Sequence, residues 1–108
     1  MSESYILTYY VPEVSAEDVS KACFNAGAGV VGAYTHCAWS VLGQGQFYPL
    51  EGAHPSIGQS GQLTYVTEAR VEMRCPAAAW SKVEAALIQA HPYETPVYFI
   101  QPSLAITQ

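Results

Sequence analysis

The sequence predicts a small α+β sandwich of the split βαβ, ferredoxin-like kind, carrying one extra β-hairpin. Three observations point there. The 108 residues make a single domain, 1–108, by the ordinary relation of chain length to core size. Two amphipathic helical stretches interrupt a series of aromatic and β-branched stretches, in the order β-α-β(β)-β-α-β. Proline or glycine punctuates nearly every join.

Residues 4–12 are rich in aromatic and branched types and end at Pro12, which reads as a strand with a terminator. Ser15 then offers an N-cap, with Glu17 and Asp18 at the positive end of the helix dipole. Val19, Ala22, Cys23 and Ala26 recur at helical spacing on one face. Gly27 or Gly29 supplies a left-handed stop. Residues 33–50 read as a strand, a turn at 43–45 and a short returning strand, which is the extra hairpin. The stretch 51–62 is a loop long enough to be functional. Residues 63–75 form the longest strand, with Ala69, Val71 and Met73 alternating against Arg70, Glu72 and Arg74. Pro76 opens a second helix at its first position. Trp80, Val83, Leu87 and Ala90 fall on the inner face of that helix. A last strand at 98–100 stops at Pro102.

Both helices pack on one sheet face in such an arrangement. The other face is left to some of Tyr5, Leu7, Tyr9 or their alternates. Composition agrees that something covers it. Charged residues are only 12 % of the chain, well below the usual quarter, against eight Tyr, three Phe and two Trp. The expected partner is another copy of the chain. Lys21, Arg70, Arg74 and Lys82 are the only cations and the net charge is -5, so nucleic acid and anionic membrane surfaces are excluded as partners. No cationic leader and no apolar run of about 20 residues is visible. Cys23, Cys37 and Cys75 are odd in number and far apart, which fits a reducing cytoplasm.

Several motifs are weaker than they look. Gly27-Ala-Gly-Val-Val-Gly32 matches a dinucleotide fingerprint in letters, but its glycines follow a helix and lead into a strand. A helix stop and tight turn is the better reading. His36 and Cys37 are neighbours on an expected strand and would point to opposite faces, so they make a poor metal or nucleophile pair. A divalent cation held by His36, Glu51 or His54 stays open as a lesser alternative. Glu68 and Glu72 alternate with Arg70 and Arg74, a ladder of opposite charges rather than a catalytic dyad. His91-Pro-Tyr-Glu-Thr-Pro-Val-Tyr98 is denser. Its prolines stiffen a loop that presents Tyr93 and Glu94, and it reads equally as a connector or as a ligand or subunit contact.

These blocks resemble a known module. Ala26-Gly-Ala-Gly-Val-Val-Gly-Ala-Tyr34, His36-Cys37, Gly43-Gln-Gly-Gln-Phe47, Pro49-Leu-Glu-Gly52, Gly58, Glu68-Ala-Arg70-Val-Glu72 and His91 to Tyr98 are similar to the insertion domain of YqfO-type proteins in the Nif-three-like family. The resemblance runs from about Tyr5 to Gln101. It implies a CutA/PII-like fold and, by likeness to those proteins, a trimer first and a dimer second. It also implies that the dinuclear metal site of the full-length family lies in flanking domains absent here, so those ligands map to no position of this chain.

The expectation is therefore a cytoplasmic, self-associating, non-catalytic module that binds a small molecule or a protein partner. The candidate ligand-binding residues are His36, Glu51, His54, Arg70, His91, Tyr93 and Glu94. His36 and His91 would supply pH-sensitive groups, Arg70 an anion holder and Glu94 an acceptor. Neither a catalytic residue nor a cofactor is assigned. A CutA-like divalent-metal protein, with His36 and His54 as ligands, and a hydrolase related to the full-length family are the alternatives.

Overall fold

The computed structural model describes residues 2–105. β1 (Ser2–Pro12) leads through a 3-10 turn (Glu13–Ser15) into α1 (Ala16–Asn25). β2 (Trp39–Phe47) and β3 (Thr64–Pro76) follow, then a second 3-10 turn (Ala77–Ala79), α2 (Trp80–Ala90) and β4 (Tyr98–Ala105). The four strands form one antiparallel sheet in the order β2-β3-β1-β4. This is the expected ferredoxin-like arrangement, with β1 and β3 central and β2 and β4 at the edges.

Period-2 alternation decides which side chains the helices cover. Leu7, Tyr9 and Val11 of β1 and Ala69, Val71, Met73 and Cys75 of β3 meet Val19 and Cys23 of α1 and Val83 and Leu87 of α2 in one buried cluster. Trp80 and Ala90 pack against its margin, as the helical spacing predicts. Burial pushes the Cys23 thiol up to about 12 and raises Tyr9 strongly, although the Tyr9 hydroxyl keeps a 2.7 Å bond with Ser20 Oγ. Leu7 and Tyr9 thus belong to the covered face. Their alternates Ile6, Thr8 and Tyr10 face the open side.

That open face is apolar in places. Trp39 is 57 % exposed and Phe99 56 %, with Val41 and Ile6 also reaching solvent. The Arg70–Glu72 ion pair, at 2.6 Å, crosses the middle of it. β2 lies at the sheet edge and is exposed along nearly its whole length.

Four local expectations are corrected. The turn at 43–45 and its returning strand do not form. β2 runs straight through both glycines and pairs with β3 from Trp39 opposite Glu72 to Phe47 opposite Thr64. The extra hairpin is therefore one strand, and the chain turns instead at 48–63. Ser15 occupies the N-cap position of α1 without a side-chain bond, because the 3-10 turn feeds the helix directly. Pro76 closes β3 and precedes a 3-10 turn, so α2 begins at Trp80. Pro102 does not stop β4, because an edge strand has one side without a ladder, where a missing N–H costs little.

The glycine motif behaves as a stop. The Gly27 amide donates to the Phe24 carbonyl at 3.0 Å and the Ala28 amide to the Cys23 carbonyl at 3.1 Å. This is a Schellman closure, made with Gly27 at φ 122°. His36 and Cys37 then lie in irregular chain ahead of β2 rather than on a strand. His36 takes a left-handed φ of 60°. The alternation argument consequently does not apply to the pair. No helix among the described residues is long and apolar enough to cross a membrane.

Candidate functional site

The first anchor of the site is a histidine. His91 follows α2 directly and is 5 % exposed. β4 stops pairing with β1 at Tyr9 opposite Tyr98. One residue further, the Tyr10 amide donates to the Val97 carbonyl at 3.3 Å, and the Tyr10 carbonyl accepts from His91 Nε2 at 2.7 Å. His91 Nδ1 accepts from the Tyr93 amide at 3.1 Å. This pattern requires the neutral Nε2–H tautomer. Burial lowers the pKa of His91, against the opposing pull of the Tyr10 carbonyl and the Glu68 charge.

The second part is a carboxylate held at both ends. Glu68 projects from β3 on the open face, opposite Gly43 of β2. Its side chain lies across Gly45, where a Cβ would collide with the carboxylate. That close approach is what a glycine inside a strand provides. Tyr93 Oη donates to Glu68 Oε2 at 2.6 Å, and burial together with this bond raises the Tyr93 pKa strongly. The Tyr93 ring stands edge-on to Phe47 at 5.9 Å between centroids.

The third part is the 48–63 loop, which is braced on itself. The Gly61 amide donates to the Pro49 carbonyl at 2.8 Å, and Ser60 Oγ to the Leu50 carbonyl at 3.2 Å. One bond ties this loop to the other: the His54 amide donates to Glu94 Oε1 at 3.1 Å.

Together these parts enclose a cleft of about 390 Å³ at the end of the open sheet face. Tyr10, Phe47, Ile57, Tyr93 and Val97 supply mostly apolar walls, and Glu68 and Glu94 bring carboxylates. None of the four cationic side chains lines it.

The structure distributes the sequence candidates unevenly. Tyr93 and Glu94 form part of the cleft. His54 joins it through its backbone, while its side chain is exposed. His91 stands behind the wall with both ring nitrogens engaged, so it positions Tyr93. Arg70 shares the open face but is committed to Glu72. Glu51 is exposed on the loop outside the cleft lining. His36 packs on Phe24 of α1, at 4.8 Å between ring centroids, away from the others. Among the described residues no three His, Cys, Asp or Glu side chains group as metal ligands would.

Glu68, Phe47, Tyr10 and Ile57 were not expected at a site. Glu68 reads in sequence as one rung of a charge ladder, yet its partner is Tyr93 rather than Arg70. The one sequence signal available was Gly45 inside a strand.

No protein-family model matches the chain. It is similar to the GTP cyclohydrolase 1 type 2 homolog of Mycobacterium tuberculosis, with 50 % identity over 91 residues, covering 84 % of this chain and 24 % of that protein. The Bacillus subtilis protein of the same name is 47 % identical over 96 residues, covering 89 % of this chain and 26 % of its own length. The chain thus spans about a quarter of the length of the curated relatives it matches. Among solved structures, a Bacillus cereus protein related to NIF3 superposes with a TM-score of 0.80 at 40 % identity, over 98 % of this chain and 27 % of that one. CutA of Archaeoglobus fulgidus, a periplasmic divalent cation tolerance protein, superposes with a TM-score of 0.64 at 15 % identity, over 93 % of this chain and 83 % of that one. The chain is therefore homologous to one segment of NIF3-related proteins, and that segment has the CutA-like fold.

Proposed function

We propose that the chain is a non-catalytic, self-associating module that binds a small molecule in the cleft between the 48–63 and 91–97 loops. The observation that carries this reading is the cleft itself. Its walls are braced before any ligand arrives, by the Tyr10–His91–Tyr93–Glu68 chain of hydrogen bonds. Concave, mostly apolar sites with a few fixed polar groups are where small ligands bind.

Self-association is supported by the exposed edge strand β2 and the apolar open face around Trp39, Val41 and Phe99. We read a trimer first and a dimer second. Three free thiols, two of them buried, support a reducing cytoplasm.

The relatives' name speaks of a cyclohydrolase, but this chain spans only a quarter of them. Carboxylates rather than cations line the cleft, which disfavours a nucleoside triphosphate there. Divalent-cation binding draws on the name of the fold neighbour and on His36 and His54, which lie in different parts of the chain. Titration calorimetry with copper and zinc, repeated on His36→Ala and His54→Ala, separates that case.

A fragment screen followed by amide chemical shifts tests the main reading. Hits are expected to move the amides of Gly45, Ile57, Glu68 and Tyr93. Hits that cluster elsewhere, or a library that moves nothing, overturn it.

A further inference from the structure

We propose that the cleft selects an organic cation: a protonated amine carried on an apolar or aromatic body. This rests on the reading of the cleft as a ligand site and names the class of ligand.

Charge is the first argument. Two carboxylates, Glu68 and Glu94, stand in the walls, and no cationic side chain does. The four cations are committed or placed elsewhere. Arg70 pairs with Glu72, and Arg74 Nη1 donates to the Val30 carbonyl at 3.1 Å. Lys21 is on α1 and Lys82 on α2, behind the sheet. An anion entering the cleft would face both carboxylates with no cationic side chain in the lining to answer it, which is repulsive selection.

The geometry of Glu68 is the second argument. Tyr93 Oη takes Oε2, which leaves Oε1, over the bare backbone of Gly45, without a side-chain or backbone donor among the described residues. The carboxylate is thus oriented, with room for one more donor and, among the described residues, no ion pair. An ammonium supplies that donor together with the missing charge.

The walls are the third argument. Tyr10, Phe47 and Tyr93 present aromatic surface beside the carboxylates. Aromatic faces attract a desolvated cation, and apolar walls bury the body that carries it. The site is a concavity built from two loops and a strand end, which suits a free small molecule over the side chain of a partner protein.

The test is an amide-shift titration of the whole chain with four probes: phenethylamine, 2-phenylethanol, 3-phenylpropionate and a blocked Ala-Lys-Ala peptide. The amine is expected to move the amides of Gly45, Glu68 and Tyr93 and to weaken with added salt. The alcohol should bind roughly tenfold more weakly, the carboxylate not measurably, and the peptide more weakly than the amine. Glu68→Gln keeps an acceptor for Tyr93 and removes the charge, and should weaken the amine roughly tenfold. Gly45→Ala displaces the carboxylate and keeps its charge, and should do the same. Unchanged dispersion of the remaining amides shows that both variants fold. Alcohol or carboxylate binding as tightly as the amine, or either variant binding it as well as wild type does, overturns the cation assignment and leaves the cleft a ligand site. A peptide that binds more tightly overturns the small-molecule assignment. If no probe of any charge moves the cleft, the underlying reading falls with it.

Discussion

Replacing His91 with alanine tests whether the braced wall of the cleft also holds the fold together. The imidazole makes two hydrogen bonds, to the Tyr10 carbonyl at 2.7 Å and from the Tyr93 amide at 3.1 Å. Alanine leaves both backbone groups without partners. An unsatisfied buried group costs about 1–3 kcal/mol. Tyr10 and Tyr93 are half-buried, so water recovers part of this, and about 2 kcal/mol for the pair is appropriate. The ring is 5 % exposed and stacks beside Tyr93 at 5.0 Å. Losing its burial adds roughly 1–2 kcal/mol. The sum is about 3–4 kcal/mol, or some 12–16 °C in Tm for a domain of this size. Thermal melts followed by circular dichroism at pH 7.5 read the shift, and the 93–97 amides should be the first to lose protection from exchange. A Tm within about 3 °C of wild type would refute the reasoning, because it would mean that neither bond is missed.

Other outcomes follow from the same packing. Burial holds the His91 pKa below its ordinary 6.5 in the fold, so its contribution is complete above that pH and fades as the pH falls past it. Melts at pH 7.5 and 5.5 should therefore differ more for wild type than for His91→Gln. Leu87 is fully buried, and Leu87→Ala should cost about 2–5 kcal/mol, lowering the urea midpoint with an unchanged slope. Cys23 and Cys75 are buried and Cys37 is half-buried, so a thiol reagent at pH 8 should titrate one cysteine in the native protein and three in denaturant. Light scattering should give a mass that is a multiple of 11.7 kDa, and Val41→Glu, placing charge on the exposed edge strand, should return the single-chain mass.

The element order was legible because burial writes its period into sequence. Ala69, Val71 and Met73 alternate, Val83 and Leu87 are spaced by a helical turn, and all five are buried together. What failed was punctuation. Two glycines at 43 and 45 look like a turn, since glycine is the residue of turns. Here neither needs a positive φ, and Gly45 is bare so that Glu68 can lie over it. Pro102 looks like a stop, yet the edge position of β4 tolerates it. In each case a neighbouring strand, remote in sequence, changed the meaning of a local signal.

The cleft shows the same division. Tyr93 and Glu94 stood out because a loop stiffened by prolines carried them. Their partners come from 25 and 40 residues away in the chain, Glu68 for Tyr93 and His54 for Glu94. Pair contacts at such separations leave no period to read. His36 and Arg70 belonged to the same chemical short list, and the fold sends one to Phe24 and the other to Glu72.

By itself the sequence determined an α+β fold with few cations, a buried face and a bare one. Those properties are sums and periods, which depend on no contact between distant residues. Only the tertiary structure decided that Glu68 is held by Tyr93 above a glycine, that His91 braces a wall, and that two loops close on a cleft. Those are distances between residues far apart along the chain, and packing sets them.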